Sequence, residues 1–115
     1  MIAVIFEVYP RQEEKENYLD IAAGLRPHLE KIDGFISVER FQSLTDPNKL
    51  LSLSFFENEE AVIEWRNLAP HRQGQAKGRD GVFENYRLRV AGVIRDYGMF
   101  ERDQAPDDSL KAHDS

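Results

Sequence analysis

The chain has 115 residues, 41% of them hydrophobic and 31% charged, and it contains no cysteine. That length admits one domain and the composition is that of a folded globule, while the missing cysteines remove disulfides, thiolate nucleophiles and sulfur-ligated metals. The net charge of −6 argues against a nucleic-acid partner. The opening Met1–Glu7 meets a glutamate after five apolar residues and has no basic leader, so it reads as a strand and not as a signal peptide. No apolar run reaches the roughly 18–20 residues needed to cross a bilayer. A cytoplasmic protein with no membrane partner is expected.

The first strand is predicted over residues 2–9, where Ile2, Val4, Phe6 and Val8 alternate with Ala3, Ile5, Glu7 and Tyr9. A helix is predicted from about Gln12 to Lys31, because Tyr18, Ala22, Leu25, Leu29 and Ile32 recur at steps of four and three. Asp33-Gly34 supplies its stop, and Pro27, which deletes a donor and crowds the Ala23 carbonyl, predicts a kink or break. Phe35–Leu44 reads as a second strand, with Ile36, Val38 and Leu44 on one face and Phe35 and Phe41 near the other. Thr45-Asp46-Pro47-Asn48 is a turn, and Leu50–Phe56 is a third strand antiparallel to the second. Asn58 is placed to cap a second helix whose inner face carries Ala61, Trp65 and Leu68, with Pro70 interrupting it. The last strand is predicted from Tyr86 to Phe100, long enough to run past its own sheet, with Phe83–Tyr86 ambiguous. Residues 1–100 form the domain, and 101–115 an acidic tail that is either mobile or an arm.

The order β-α-β-β-α-β is the split βαβ pattern of α+β, ferredoxin-like domains, with helices on one face of an antiparallel sheet. Ile5 and Tyr9 would then stand on the uncovered face, which predicts a homodimer that pairs two sheets. Between Glu64 and Arg95 seven basic residues oppose three acids, so this segment is +4 and the remainder −10. It is either ordinary surface or a positive lip for an anionic or enolic small molecule.

The stretch Gly34-Phe35-Ile36-Ser37-Val38-Glu39-Arg40-Phe41 resembles the second strand of the antibiotic biosynthesis monooxygenase-like family. Glu64-Trp65 followed by His71, the Gly78-Arg79 step, and Tyr86 leading into Val90-Ala91-Gly92-Val93-Ile94-Arg95-Asp96-Tyr97 are similar to that family in the same order. The resemblance implies a dimeric α+β barrel with a pocket between helices and sheet. It also implies a monooxygenase that uses O₂ without metal, flavin or haem on a quinol or an enolised, polyketide-like molecule. Such a site needs an aromatic wall, a proton acceptor and a cation near the developing oxyanion.

Trp65, the single tryptophan, is either core or the pocket wall that the resemblance implies on this helix. His71 is either a surface histidine or a general base, standing where the oxygenases carry a tyrosine. Arg87 and Arg89 are either in ion pairs or one of them stabilises an enolate; Trp65, His71 and Arg87 form the expected catalytic set. Glu7, Phe41, Phe83 and Arg89 are the expected substrate-binding residues, Glu7 being either an interface acid or a pocket base. His28, His71 and His113 have no metal-ligand spacing and no dinucleotide or phosphate motif is present, so neither metal nor cofactor is expected. The family's haem degraders carry an asparagine near the position of Glu7 and a histidine farther beyond the tryptophan, which disfavours haem degradation. The oxygenases carry an asparagine where Ala61 stands. The alternative function is a non-catalytic small-molecule-binding or stress-response module.

Overall fold

The computed structural model describes residues 1–68 and 81–113. The elements are β1 (Ile2–Pro10), a single 3-10 turn (Gln12–Glu14), α1 (Lys15–Leu29), β2 (Phe35–Gln42), β3 (Leu50–Phe56), α2 (Glu59–Arg66), β4 (Phe83–Gly92) and α3 (Asp107–His113). The four strands form one sheet in the order β2-β3-β1-β4, and every neighbouring pair is antiparallel. This is the ferredoxin-like α+β arrangement.

Register sorts the side chains into cross-strand rows. Arg40, Ser52, Phe6 and Leu88 stand side by side across all four strands, followed by Val38, Ser54, Val4 and Val90. These rows face the helices. The intervening rows, Phe41-Leu51-Glu7-Arg87 and Glu39-Leu53-Ile5-Arg89, face the other way.

Two apolar clusters cover the helix side. Val4, Leu29, Ile32, Val38, Phe56, Ala61 and Val62 form one, with Phe35, Trp65 and Leu68 against it. Val8, Tyr18, Leu50 and Val82 form the other, joined by Phe6 and Phe83. α1 runs unbroken through Pro27 to Leu29. Only one turn follows the ring, so the missing donor costs a single bond to Ala23, and the end is closed by Glu30 N–H donating to the Arg26 carbonyl at 3.1 Å. Gly34 follows with φ +94°, a conformation that only glycine adopts without strain.

Three sequence expectations change here. A bulge separates the Phe35↔Phe56 and Ser37↔Phe55 pairs, so Ile36 is the extra residue and is 47% exposed. Phe35 is thereby returned to the helix side, its ring 5.7 Å from that of Phe56. Leu44 lies in the turn, wholly exposed, and not on a strand. β4 starts at Phe83 and stops at Gly92 because its partner ends: Gly92 pairs with Ile2, and Val93 N–H donates to the Met1 carbonyl as the last bond.

Beyond β4 the chain folds back on itself. Asp96 N–H donates to Gln104 Oε1 at 2.8 Å, Arg102 Nη1 donates to the Gly98 carbonyl at 3.0 Å, and the Arg102 guanidinium lies 5.4 Å from the centre of the Tyr97 ring. Ile94, Met99 and Phe100 remain exposed in this segment. As predicted, the Asn58 side chain caps α2, accepting from Ala61 N–H at 2.9 Å.

Candidate active site

The space between α1, α2 and the sheet is a cavity of about 370 Å³. Its floor consists of the two helix-facing rows, and it opens there for a reason legible in the register. β3, the strand beside the centre, contributes Ser52 and Ser54 where neighbouring positions carry Leu50 and Phe56. Two small side chains in the middle of an apolar floor leave volume that no neighbour fills.

Aromatic rings bound the cavity. Phe83 packs edge-on against Tyr18 at 5.4 Å and against Phe6 at 6.0 Å, and Tyr86 stands 5.6 Å from Phe6. Trp65, from the last turn of α2, stacks obliquely on Phe56 at 5.7 Å. On β4, Tyr86, Leu88 and Val90 line the cavity and stay 42–48% exposed, so this side is its mouth.

One corner is polar. Arg40 points from β2 onto the helix side beside Ser52, and its Nε is buried without a hydrogen-bond partner among the described residues. Tyr18 reaches this corner from α1. Burial pushes the pKa of its hydroxyl up, and the Arg40 charge and hydrogen bonding pull it part of the way back. Tyr18 is therefore a phenol at neutral pH, a hydrogen-bond donor and not a base. No carboxylate among the described residues forms an ion pair with Arg40.

The structure brings together only part of the sequence-predicted set. Trp65 and Phe83 line the cavity. Glu7, Phe41, Arg87 and Arg89 lie on the opposite face of the sheet, in the rows that alternate with the floor. There Glu7 is shared, with Oε1 3.3 Å from Arg89 Nη1 and Oε2 3.4 Å from Lys49 Nζ. The Glu7 charge pushes the Lys49 pKa up, and Lys49 also lies 5.7 Å from the Tyr9 ring centre. His71 and the Gly78-Arg79 step lie outside the described residues. Sequence reasoning passed over Arg40, Tyr18, Ser52 and Tyr86. The available signal was the polar pair Ser52 and Ser54 on the inward positions of an otherwise apolar strand.

Residues 1–77 match the family described as Antibiotic biosynthesis monooxygenase. The chain belongs to that family. Its similarity to Jasmonate monooxygenase ABM of Pyricularia oryzae is 50% identity over 93 residues, 81% of this chain but 43% of that protein. The chain thus spans less than half the length of that relative. YqjZ of Bacillus subtilis is 28% identical over 93 residues, covering 81% of this chain and 79% of that one. Among solved structures, Rv0793 of Mycobacterium tuberculosis superposes with a TM-score of 0.75 at 15% identity, covering 84% of this chain and 98% of that one. A conserved protein of Methanosarcina mazei gives 0.71 at 14% identity, over 78% and 89% of the two chains. Such distant likenesses establish the fold alone. Among the described residues, no helix is long and apolar enough to cross a membrane.

Proposed function

We propose that the cavity is the site of a cofactor-independent monooxygenase acting on a quinol or an enolised aromatic small molecule. The observation that carries this reading is the aromatic-walled cavity with a cationic corner at Arg40, whose Nε is buried. In the reaction one atom of O₂ is added to a ring carbon, and the other leaves as water with two hydrogens of the substrate. A hydroquinone becomes a hydroxyquinone, and the substrate itself supplies both electrons. The protein has to favour the ionised substrate, orient it and exclude water.

Arg40, Tyr18 and Ser52 supply a cation and two hydroxyls for the oxygen functions of such a molecule, while Trp65, Phe83 and Tyr86 flank its ring. The role expected of Arg87 and Arg89, an anion-favouring cation, goes in this reading to Arg40. His71 remains the proposed general base. The name of the Pyricularia oryzae relative adds jasmonate to the candidate substrates.

The same reading includes a cytoplasmic homodimer joined through the helix-free face of the sheet. That face carries the half-buried Ile5, Leu51, Leu53 and Phe55 around the Glu7 ion pairs. The cysteine-free composition fits a reducing compartment.

The test is O₂ uptake and ¹⁸O incorporation with naphthohydroquinones and enolisable aryl ketones, with no added metal, flavin or haem. One labelled oxygen per product, lost in Trp65→Phe combined with His71→Ala, is expected. Stabilisation by these compounds without turnover would assign the cavity to binding alone.

A further inference from the structure

A guanidinium is always charged at physiological pH, and burying part of one without an acceptor costs free energy that the folded chain has to offset. Arg40 stands in that position: Nε is buried, it lacks a hydrogen-bond partner among the described residues, and no carboxylate there pairs with it. Its polar neighbours among the described residues include Tyr18, a neutral phenol, and Ser52, which pairs with it in the β2–β3 ladder. Every anionic side chain in reach along β2 points away, since Glu39 occupies the row on the opposite face. Among the described residues no carboxylate supplies the counter-charge.

We infer that the substrate brings it, and that Arg40 is the seat of a carboxylate on a small, otherwise apolar molecule. The inference rests on the cavity being the substrate site and narrows the proposed substrate class to lipophilic monocarboxylates. Nε and an Nη of one guanidinium form the planar fork that matches two carboxylate oxygens, whereas an ionised ring oxygen offers a single acceptor. Tyr18 adds a phenolic donor to the same corner. The remaining walls, Trp65, Leu88 and Val90 among them, take the apolar body. Arg66 also lines the cavity but is an exposed residue of the last turn of α2, where water already solvates its charge.

Trp65 is the single tryptophan and lines the cavity, so its fluorescence reports occupancy. The experiment titrates the full chain with 4-phenylbutyrate, its methyl ester and 4-phenylbutan-1-ol, probes that share one apolar body. The acid is expected to bind about tenfold or more tightly than either neutral probe, the scale of a hydrogen bond to a charged group. That preference should vanish in Arg40→Gln, persist in weakened form in Arg40→Lys, and be unchanged in Arg66→Gln. Being carried by a half-buried cation whose Nε is out of reach of water, it should also depend less on salt than an exposed ion pair does.

Equal affinity for acid and ester in the wild type overturns the assignment, and so does an acid preference that survives Arg40→Gln or disappears in Arg66→Gln. If Arg40→Gln fails to fold, Arg40→Lys and Tyr18→Phe decide the matter, since both keep a side chain of similar bulk. Oxygen uptake separates the two readings. Quinol turnover without acid preference removes only the carboxylate seat, and acid preference without turnover removes only the oxygenase.

Discussion

Arg40 of β2 and Tyr18 of α1 meet at the polar corner of the cavity, and the guanidinium partly offsets what burial does to the phenol. Burial is the larger influence, so the folded protein holds the Tyr18 proton at pH values where the unfolded chain, with a pKa near 10.0, releases it. The stability contributed by this proton is present in full below about pH 10 and is lost as pH rises through the folded-state value. Urea unfolding at pH 8 and at pH 10.5 should show the wild type losing more stability between the two than Tyr18→Phe does. A smaller loss in the wild type than in the variant would contradict the burial of an un-ionised phenol.

The cavity owes its volume to small residues on β3. Ser52→Leu places a branched apolar side chain between Arg40 and Phe6, its register neighbours on either side. Filling a void of this kind stabilises a domain by about 0.5–2 kcal/mol. Thermal unfolding should therefore occur at the same temperature or higher, while the binding of naphthohydroquinone to the Trp65 cavity falls by about tenfold or more. Retention of both binding and turnover would move the site elsewhere.

Gly34 closes the α1–β2 connection at φ +94°, and a Cβ built there would come within 3.1 Å of the Ala61 Cβ on α2. Its carbonyl also accepts from Glu57 N–H at 2.7 Å, so the loop cannot shift without loosening the entry to α2. Gly34→Ala combines a disfavoured backbone conformation with a contact between two elements, a cost of about 1–3 kcal/mol. Denaturant midpoints measure it directly. Gly92→Ala is the control, since nothing lies within 4 Å of the Cβ it would add.

Period-two alternation in Ile2–Val8 and the four-three spacing from Tyr18 to Ile32 carried the fold, because burial on one face imposes those periods on any sequence that folds this way. The bulge at Ile36 could not be read, since one inserted residue reverses the faces of Phe35 without altering the composition around it. The end of β4 at Gly92 was hidden for a different reason. Val93 and Ile94 continue the strand pattern, but the β1–β4 ladder ends at the Ile2↔Gly92 pair, with one further bond from Val93 N–H to the Met1 carbonyl. The site was half legible. Trp65 and Phe83 follow from helix and strand position, whereas Arg87 and Arg89 drew attention by charge alone and fall on the even-odd alternation opposite to Leu88. Arg40, the cation that does face the cavity, obeys the same rule.

The face that holds Glu7 gives the last prediction. Leu53 lies beside Ile5 in the β1–β3 ladder, and Arg89 flanks Ile5 on its other side. If two copies join through this face, their cores meet near Ile5, Leu53 and Phe55, with each Glu7 already engaged by Arg89 and Lys49 of its own chain. Leu53→Lys would then set an ammonium between Ile5 and Glu39 in a surface that becomes buried, where taking charges out of water costs several kcal/mol each even beside a carboxylate. Light scattering at micromolar concentration should report a dimer for the wild type and a monomer for Leu53→Lys, with circular dichroism unchanged. Leu44→Lys, in the wholly exposed turn between β2 and β3, should leave the dimer intact. A wild-type monomer removes the barrel, and a dimer that survives Leu53→Lys places its interface on a different surface, the exposed Ile94–Phe100 segment being the next to examine.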